Sequence, residues 1–329
     1  MNHLPSELLQ IGPRDIKRVF ANPTLIRITG RREPPLFVSV LLHGNETVGF
    51  FVLQDLARLC ALGAPPRSLL IFVGNVDATA AGVRRADHQP DFNRIWAGGD
   101  GPAFALARSV IDEVAAARPF ASIDVHNNTG INPFYGCVNS LDAHHLNLAA
   151  LFSRIAVYHR NPPTTQSMAL SRFCASVTIE CGRIDNAAGI ARACEFVHDV
   201  MHLDHIPDRA PPHRDLTLFH TLGRVIVDPE RSFSFTADDV DLKLRHGLET
   251  CNFSQMAANE VWGHCRGAGM PLRVIDDDGR DTTERFFQRV GASLSLRQPV
   301  IPAMITLDER VIRQDCLGYL MTAMALAPH

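Results

Sequence analysis

His43 and Glu46 stand three residues apart in Leu36-Phe-Val-Ser-Val-Leu-Leu-His43-Gly-Asn-Glu46, at the end of a largely apolar run. An imidazole nitrogen and a carboxylate oxygen both suit zinc. A catalytic zinc takes three protein ligands and leaves its fourth position to water. The H-x-x-E pair alone is a weak signal, because a glutamate in the first turn of a helix beside an incidental histidine gives the same pattern. Two further runs end alike: Ala121-Ser-Ile-Asp124-Val-His126 in a histidine and Ala175-Ser-Val-Thr-Ile-Glu180 in a carboxylate. His43, Glu46 and His126 then make up a three-ligand zinc set, one ion per chain. Glu180 is left over, in the position of a general base. Asp124, two residues before His126, shares its strand face and suits a role orienting that ligand, or one in packing or capping.

Such a set works only if the elements bring its members to one edge. The stretch 36–42 reads as a buried strand, and 47–59 carries apolar residues at helical spacing (Val48, Phe51, Val52, Leu56, Leu59). The handover from strand to helix is where open α/β sheets place their ligands. Thr24 to Thr29 reads as an opening strand and Arg67 to Val76 as another buried one. Asp77 to Asp100 is a long polar loop, and loops of that length inside a compact domain are usually functional. Helices are expected at 103–117, 142–155 and 187–202, with His144 and His145 in solvent rather than as ligands. The expected fold is α/β: a mixed, mainly parallel sheet covered by helices. Residues 1–205 form this first domain and a Pro-rich connector follows at 206–214. Residues 215–329 form a smaller β-rich C-terminal domain, with strands at 218–227, 304–307 and 318–321.

Of the 329 residues, 46% are hydrophobic and 20% charged, and the formal net charge is −3. With no basic stripe or tail, no nucleic-acid partner is expected. No apolar run reaches the roughly 18 residues of a membrane span, so no membrane partner is expected either and the chain reads as cytoplasmic. The eight cysteines form no C-x-x-C pair, and most are expected as buried thiols. Cys181 is of interest only as the neighbour of Glu180. A homo-oligomer is left open.

The segments His43-Gly-Asn-Glu46, Asp91-Phe-Asn93-Arg94, Asp124-Val-His126-Asn and Ile179-Glu180-Cys-Gly182 match together in identity, order and strand context. In these the chain resembles the succinylglutamate desuccinylase/aspartoacylase branch of the zinc carboxypeptidase superfamily, over residues 36 to 185. The resemblance implies a zinc-carboxypeptidase-like fold with an appended β-rich domain. It implies His43, Glu46 and His126 as zinc ligands, Glu180 as general base and acid, and Asn93 with Arg94 as the grip on a substrate carboxylate. A planar guanidinium fork suits that grip, since it binds a carboxylate through two parallel hydrogen bonds. An arginine that stabilises the oxyanion is also implied. Arg84 is preferred and Arg85 is the alternative, because an insertion at His88 to Pro90 blurs the spacing. The branch's further substrate-binding residues, an arginine ahead of the base and a C-terminal tyrosine, match nothing here. Arg172, Arg183, Tyr135, Tyr158 and Tyr319 fit no motif.

The expected function is therefore a zinc-dependent amidohydrolase acting on a small carboxylate-bearing amide, an N-acyl amino acid. Two alternatives are a zinc carboxypeptidase acting on short peptides and a non-catalytic, metal-dependent ligand-binding protein.

Overall fold

Short runs rich in β-branched and aromatic residues become strands, and the longer stretches with i, i+3, i+4 spacing become helices. The computed structural model describes residues 3–325. Two compact units emerge. One takes the chain up to Asn127 together with Phe134–Thr217; the other takes Asn128–Pro133 and everything from Leu218 onward.

In chain order the larger unit contains β1 (Thr24–Ile28), β2 (Leu36–Val40), α1 (Val48–Ala61), β3 (Leu69–Val73), α2 (Val76–Ala81) and α3 (Pro102–Ala117). It continues with β4 (Ala121–Asn128), β5 (Tyr135–Val138), α4 (Ala143–Phe152), β6 (Ile155–Tyr158), α5 (Gln166–Leu170), β7 (Ala175–Arg183) and α6 (Ala187–His202). Its strands lie in the order β1-β3-β2-β4-β7-β5-β6. β2 runs parallel to both β3 and β4, while β1 is antiparallel to β3 and β5 to β7, so the sheet is mixed. Every residue of β2, β3 and β4 is buried. That is the mark of strands covered on both faces, and it explains why β2 and β3 are almost wholly apolar.

The two faces are covered by different helices. Phe37, Leu70 and Phe72 pack with Ala107, Val110 and Val114 of α3, joined by Phe92 and Trp96. Val40, of opposite pleat parity to Phe37, meets α1 at Gly49. Farther along, α6 lies directly on β7. A Cβ at Gly189 would come within 2.0 Å of the carbonyl oxygen of Cys181.

The smaller unit is mainly antiparallel. β8 (Thr217–Val227) pairs with β16 (Gly318–Met324) and with β12 (Leu272–Ile275), and β15 (Ile301–Ala303) pairs with β16. A second sheet orders β13 (Phe287–Val290), β14 (Ser293–Leu296), β11 (Val261–Cys265), β10 (Leu242–Leu244) and β9 (Phe233–Ser234). Short helices α7 (Thr283–Phe286) and α8 (Glu309–Gln314) complete it. Trp262, Phe286, Phe287, Leu294 and Leu320 form its core.

Some local expectations are corrected. Residues 76–81 form α2 rather than the start of a loop, because Asn75 caps them by accepting the amide of Ala78 at 3.1 Å. The strand expected at 304–307 ends at Ala303, and Met304 takes a positive φ of 60°. His144 is half exposed, whereas His145 is buried and lies 2.7 Å from Asp142. Four of the eight cysteines are buried and the rest are partly exposed. The units divide between Thr217 and Leu218, and residues 128–133 go with the smaller one. Asn252 binds that segment, donating at 2.9 Å to the carbonyls of both Ile131 and Ile305. Asn132 accepts the amide of Met304, also at 2.9 Å. Among the described residues, no helix is long and apolar enough to cross a membrane.

The close seating of α6 on β7 makes Gly189→Ala an expected overpacking mutation, destabilising by about 1–3 kcal/mol. Chemical denaturation would measure it, and an unchanged midpoint would show that α6 can lift away from β7 without loss.

Candidate active site

The edge of the sheet at the ends of β2, β4 and β7 gathers the polar groups. β2 ends at Val40, and Leu41 then adopts φ 59°, an unusual conformation for a side chain other than glycine. It is fixed from both sides: Leu41 is buried, and its carbonyl accepts the amide of Asn75 at 2.7 Å. This bend ends the strand and turns the chain toward His43. Gly44 follows because nothing larger fits. A Cβ there would lie 2.1 Å from the carbonyl carbon of Ala78 in α2, and the Gly44 amide donates to the carbonyl of Arg84 at 3.0 Å.

His43, Glu46 and His126 come together, all at or below 5% exposure, with one donor atom from each lying within 4.8 Å of the others. Glu46 sits between the imidazoles. Its Oε1 is 2.8 Å from Nδ1 of His43 and its Oε2 is 2.6 Å from Nδ1 of His126. The far nitrogen of each ring meets an aspartate: His43 Nε2 lies 3.0 Å from Asp91 Oδ1, and His126 Nε2 lies 2.9 Å from Asp124 Oδ2. An ionised carboxylate only accepts, so each Nε2 carries its proton and each Nδ1 is the atom turned to the shared centre. Two nitrogens and a carboxylate, each imidazole backed by an acid, form a donor set that fits zinc.

The long loop supplies the next layer. Arg84, not Arg85, turns inward, with Nη2 donating to Asp91 Oδ2 at 3.0 Å and Nη1 lying 3.7 Å from Glu46 Oε1. Arg85 donates instead to the carbonyl of Gln89 at 3.0 Å, bracing the turn that contains the inserted residues. Asn93 is buried. Its Oδ1 accepts the amide of Gln166 at 2.9 Å, and its Nδ2 lies 3.4 Å from His126 Nε2. Because the carbonyl end is held by a backbone N–H, the amide's donor end faces the histidine. Arg94 donates to the carbonyl of Asn93 at 2.9 Å, and its charge reaches Asp91 and His159. Burial and that guanidinium together push His159 down to about 4, so it stays neutral.

Residues to which the sequence assigned no role are also present. Asp91 appears only as a member of its motif, yet it anchors both His43 and Arg84. Asn127 donates its amide to Glu46 Oε2 at 3.2 Å, accepts the amide of Val48 at 3.0 Å, and donates from Nδ2 to the carbonyl of Gly182 at 3.2 Å. It thus links Glu46, the start of α1 and the end of β7. The signal for both was their place beside a motif histidine or arginine. Cys181 is buried and its thiol is pushed well up by burial, so it is unreactive. Arg183, at the end of β7, and Arg172 are both exposed. Tyr135 is buried and registers opposite Glu180.

Charge separates the carboxylates. Burial alone would raise Glu46 and Asp91. For Glu46 the two histidines outweigh it, and for Asp91 His43 and Arg84 do, so both are held well below the usual carboxylate range. His126 is raised well above its usual value, because Asp124 and Glu46 outweigh the cost of burying its charge. Glu180 goes the other way. Burial, helped by Glu46 and Asp124 and opposed by His126 and Arg84, pushes it up to about 8.

A helix-covered mixed sheet with a donor triad at its strand ends, and a β-rich unit after it, is the zinc-carboxypeptidase-like architecture. The succinylglutamate desuccinylase/aspartoacylase catalytic domain matches residues 33–189. The succinylglutamate desuccinylase of Burkholderia orbicola (strain AU 1054) is 33% identical over 138 residues, and that of Burkholderia cenocepacia is 34% identical over 139. Each match covers 40% of this chain and 37% of the relative's own length. A succinylglutamate desuccinylase/aspartoacylase structure from Rhodobacter sphaeroides aligns with TM-score 0.62 at 17% identity, over 91% of this chain and 88% of that one. Murine aminoacylase 3 aligns with TM-score 0.60 at 16% identity, over 89% and 97%. Residues 33–189 are thus similar to the catalytic domain of the succinylglutamate desuccinylase/aspartoacylase family, and the chain spans little more than a third of the length of the curated relatives it matches.

The raised values of His126 and Glu180 mean that both hold protons at pH 7 in metal-free protein. A divalent cation held at Nδ1 of His126 displaces the proton there and by its charge lowers Glu180, so zinc binding should expel protons. Calorimetric titration in buffers of different ionisation enthalpy should give different heats at pH 7. The part due to Glu180 should fade as the pH rises past 8, where that group is already ionised. Equal heats in all buffers at pH 7 would show that the site is not protonated there.

Proposed function

We propose that this chain is a zinc-dependent amidohydrolase that removes the acyl group from a small N-acyl amino acid. The observation that carries the reading is the bracketed donor set His43–Glu46–His126, with a second carboxylate, Glu180, buried in the same electrostatic cluster and tuned in the opposite direction. Zinc held by those three residues would polarise the scissile carbonyl and lower the pKa of water to about 7. Glu180 takes the proton of the attacking water and returns it to the leaving amine. A carboxyl group whose pKa lies near the working pH can do both. Arg84 is braced on Asp91 and Glu46, so it presents a fixed positive charge to the oxyanion that develops on the carbonyl. Asn93 and Arg94 grip the substrate's carboxylate, the first through its oriented Nδ2 and the second through its planar fork. All eight cysteines are free thiols, which fits action in a reducing cytoplasm.

Glu180→Gln preserves shape and removes the base, so turnover should fall by about 10²–10⁴-fold while zinc content stays at the wild-type level. Loss of metal along with activity would make Glu180 a ligand instead. Unchanged activity would remove it from the mechanism.

The substrate reading has its own test. A short N-acyl amino acid should be cleaved, and amidation of its α-carboxylate or an Arg94→Lys substitution should depress kcat/KM. A clear preference for a matched tetrapeptide would favour a carboxypeptidase. Equal activity on carboxylate-free amides would show that Arg94 is not the anchor.

A further inference from the structure

Ser39 is the lone polar residue in β2, and it is wholly buried. A hydroxyl inside a strand covered on both faces costs free energy unless it is hydrogen-bonded. Its Oγ donates to Oδ1 of Asp124 at 2.6 Å, the residue directly opposite it in the parallel β2–β4 register. The other oxygen of Asp124 accepts from His126 Nε2 at 2.9 Å, and Nδ1 of His126 then lies 2.6 Å from Glu46. A continuous line of hydrogen bonds therefore runs from the middle of one strand, across its neighbour, to a ligand of the candidate metal centre.

The two imidazoles are supported differently. Behind His43, Asp91 is held by the guanidinium of Arg84 and by the backbone amide of Asn93 at 2.7 Å. Behind His126, Asp124 is wholly buried and is met by a neutral hydroxyl. An aspartate backed by an arginine keeps its orientation through that ion pair, whereas one backed by a serine takes its orientation from the hydroxyl.

We propose that Ser39 is a positioning residue: through Asp124 it fixes the orientation of His126 and so sets the affinity of the site for zinc. The proposal rests on the reading of His126 as a zinc ligand, but one of its consequences can be read without metal. Ser39→Ala leaves Asp124 Oδ1 buried with an apolar neighbour, and the carboxylate is then free to turn away from the ring.

Two measurements decide it. In competition with a chromophoric chelator, Ser39→Ala should bind zinc about tenfold more weakly, the lower end of what loss of a ligand's outer partner costs. Ser39→Thr, which keeps the hydroxyl, should restore affinity. In an Asp124→Asn background the Ser39→Ala change should have no further effect, because the line is already cut. Separately, in metal-free protein the Nε2–H proton of His126 should give a distinct NMR resonance that shifts or broadens in Ser39→Ala and recovers in Ser39→Thr. Equal zinc affinity for wild type and Ser39→Ala, or additive losses in the double variant, would overturn the proposal. If the wild-type protein takes up no zinc, the proposed function fails. The NMR comparison then still decides on Ser39: an unmoved His126 signal refutes it and a shifted one supports it.

Discussion

Glu46 held between two imidazoles is the interaction on which the rest of the larger unit depends. Its two oxygens lie 2.8 and 2.6 Å from nitrogens on separate strand ends, all of them buried. Buried charges must be paired and hydrogen-bonded, or burying them costs several kcal/mol apiece. The surrounding structure meets that demand group by group. Aspartates back both rings, Arg84 backs one aspartate and Ser39 the other, and Asn127 closes the remaining side of Glu46. Each of these partners comes from a different place in the sequence, so the cluster can exist only if the sheet has its observed order.

That order explains several local oddities. With β2 between β3 and β4, both parallel, the ends of β2 and β4 lie side by side and His43 faces His126 with ring centroids 4.9 Å apart. The chain must leave β2 sharply to put His43 there, hence the positive φ of Leu41. It must then pass against α2, hence the absence of a side chain at Gly44. Strain at Leu41 of the order of 1–3 kcal/mol is held in place by the hydrogen bond from the Asn75 amide to its carbonyl and by its buried side chain.

How much of this was legible in the sequence depended on whether the signal was local. His43, Glu46, His126 and Glu180 stood at the ends of apolar runs, and a strand end is a local pattern. The long loop could be seen as functional, but it could not show which of Arg84 and Arg85 turns inward. That is set by the Gly44–Arg84 hydrogen bond and by the turn that Arg85 braces. His145 was expected in solvent because nothing in its own helix shows that the turn carrying it is buried. The assignment of residues 128–133 to the smaller unit was invisible for the same reason: its partners, Asn252 and Met304, lie more than a hundred positions away. Ser39 did leave a trace, as one polar residue in an otherwise apolar strand, but only the β2–β4 register gives that trace a meaning.

The balance of charge ties the cluster to its chemistry. Glu46, Asp91, Asp124 and Glu180 can carry four negative charges, against the two positive charges of Arg84 and Arg94. The difference is two, which a divalent cation matches and which protons can otherwise supply. The proton-holding groups are the ones the geometry leaves for that purpose: His126, raised by Asp124 and Glu46, and Glu180, raised by burial. Glu46 and Asp91 stay ionised because each is flanked by positive partners. One carboxylate is thus fixed as a donor, while another is poised to gain and lose a proton near neutral pH. That is the separation of roles a cation-binding, proton-moving site would need, and it follows from where each acid stands relative to two histidines and one arginine.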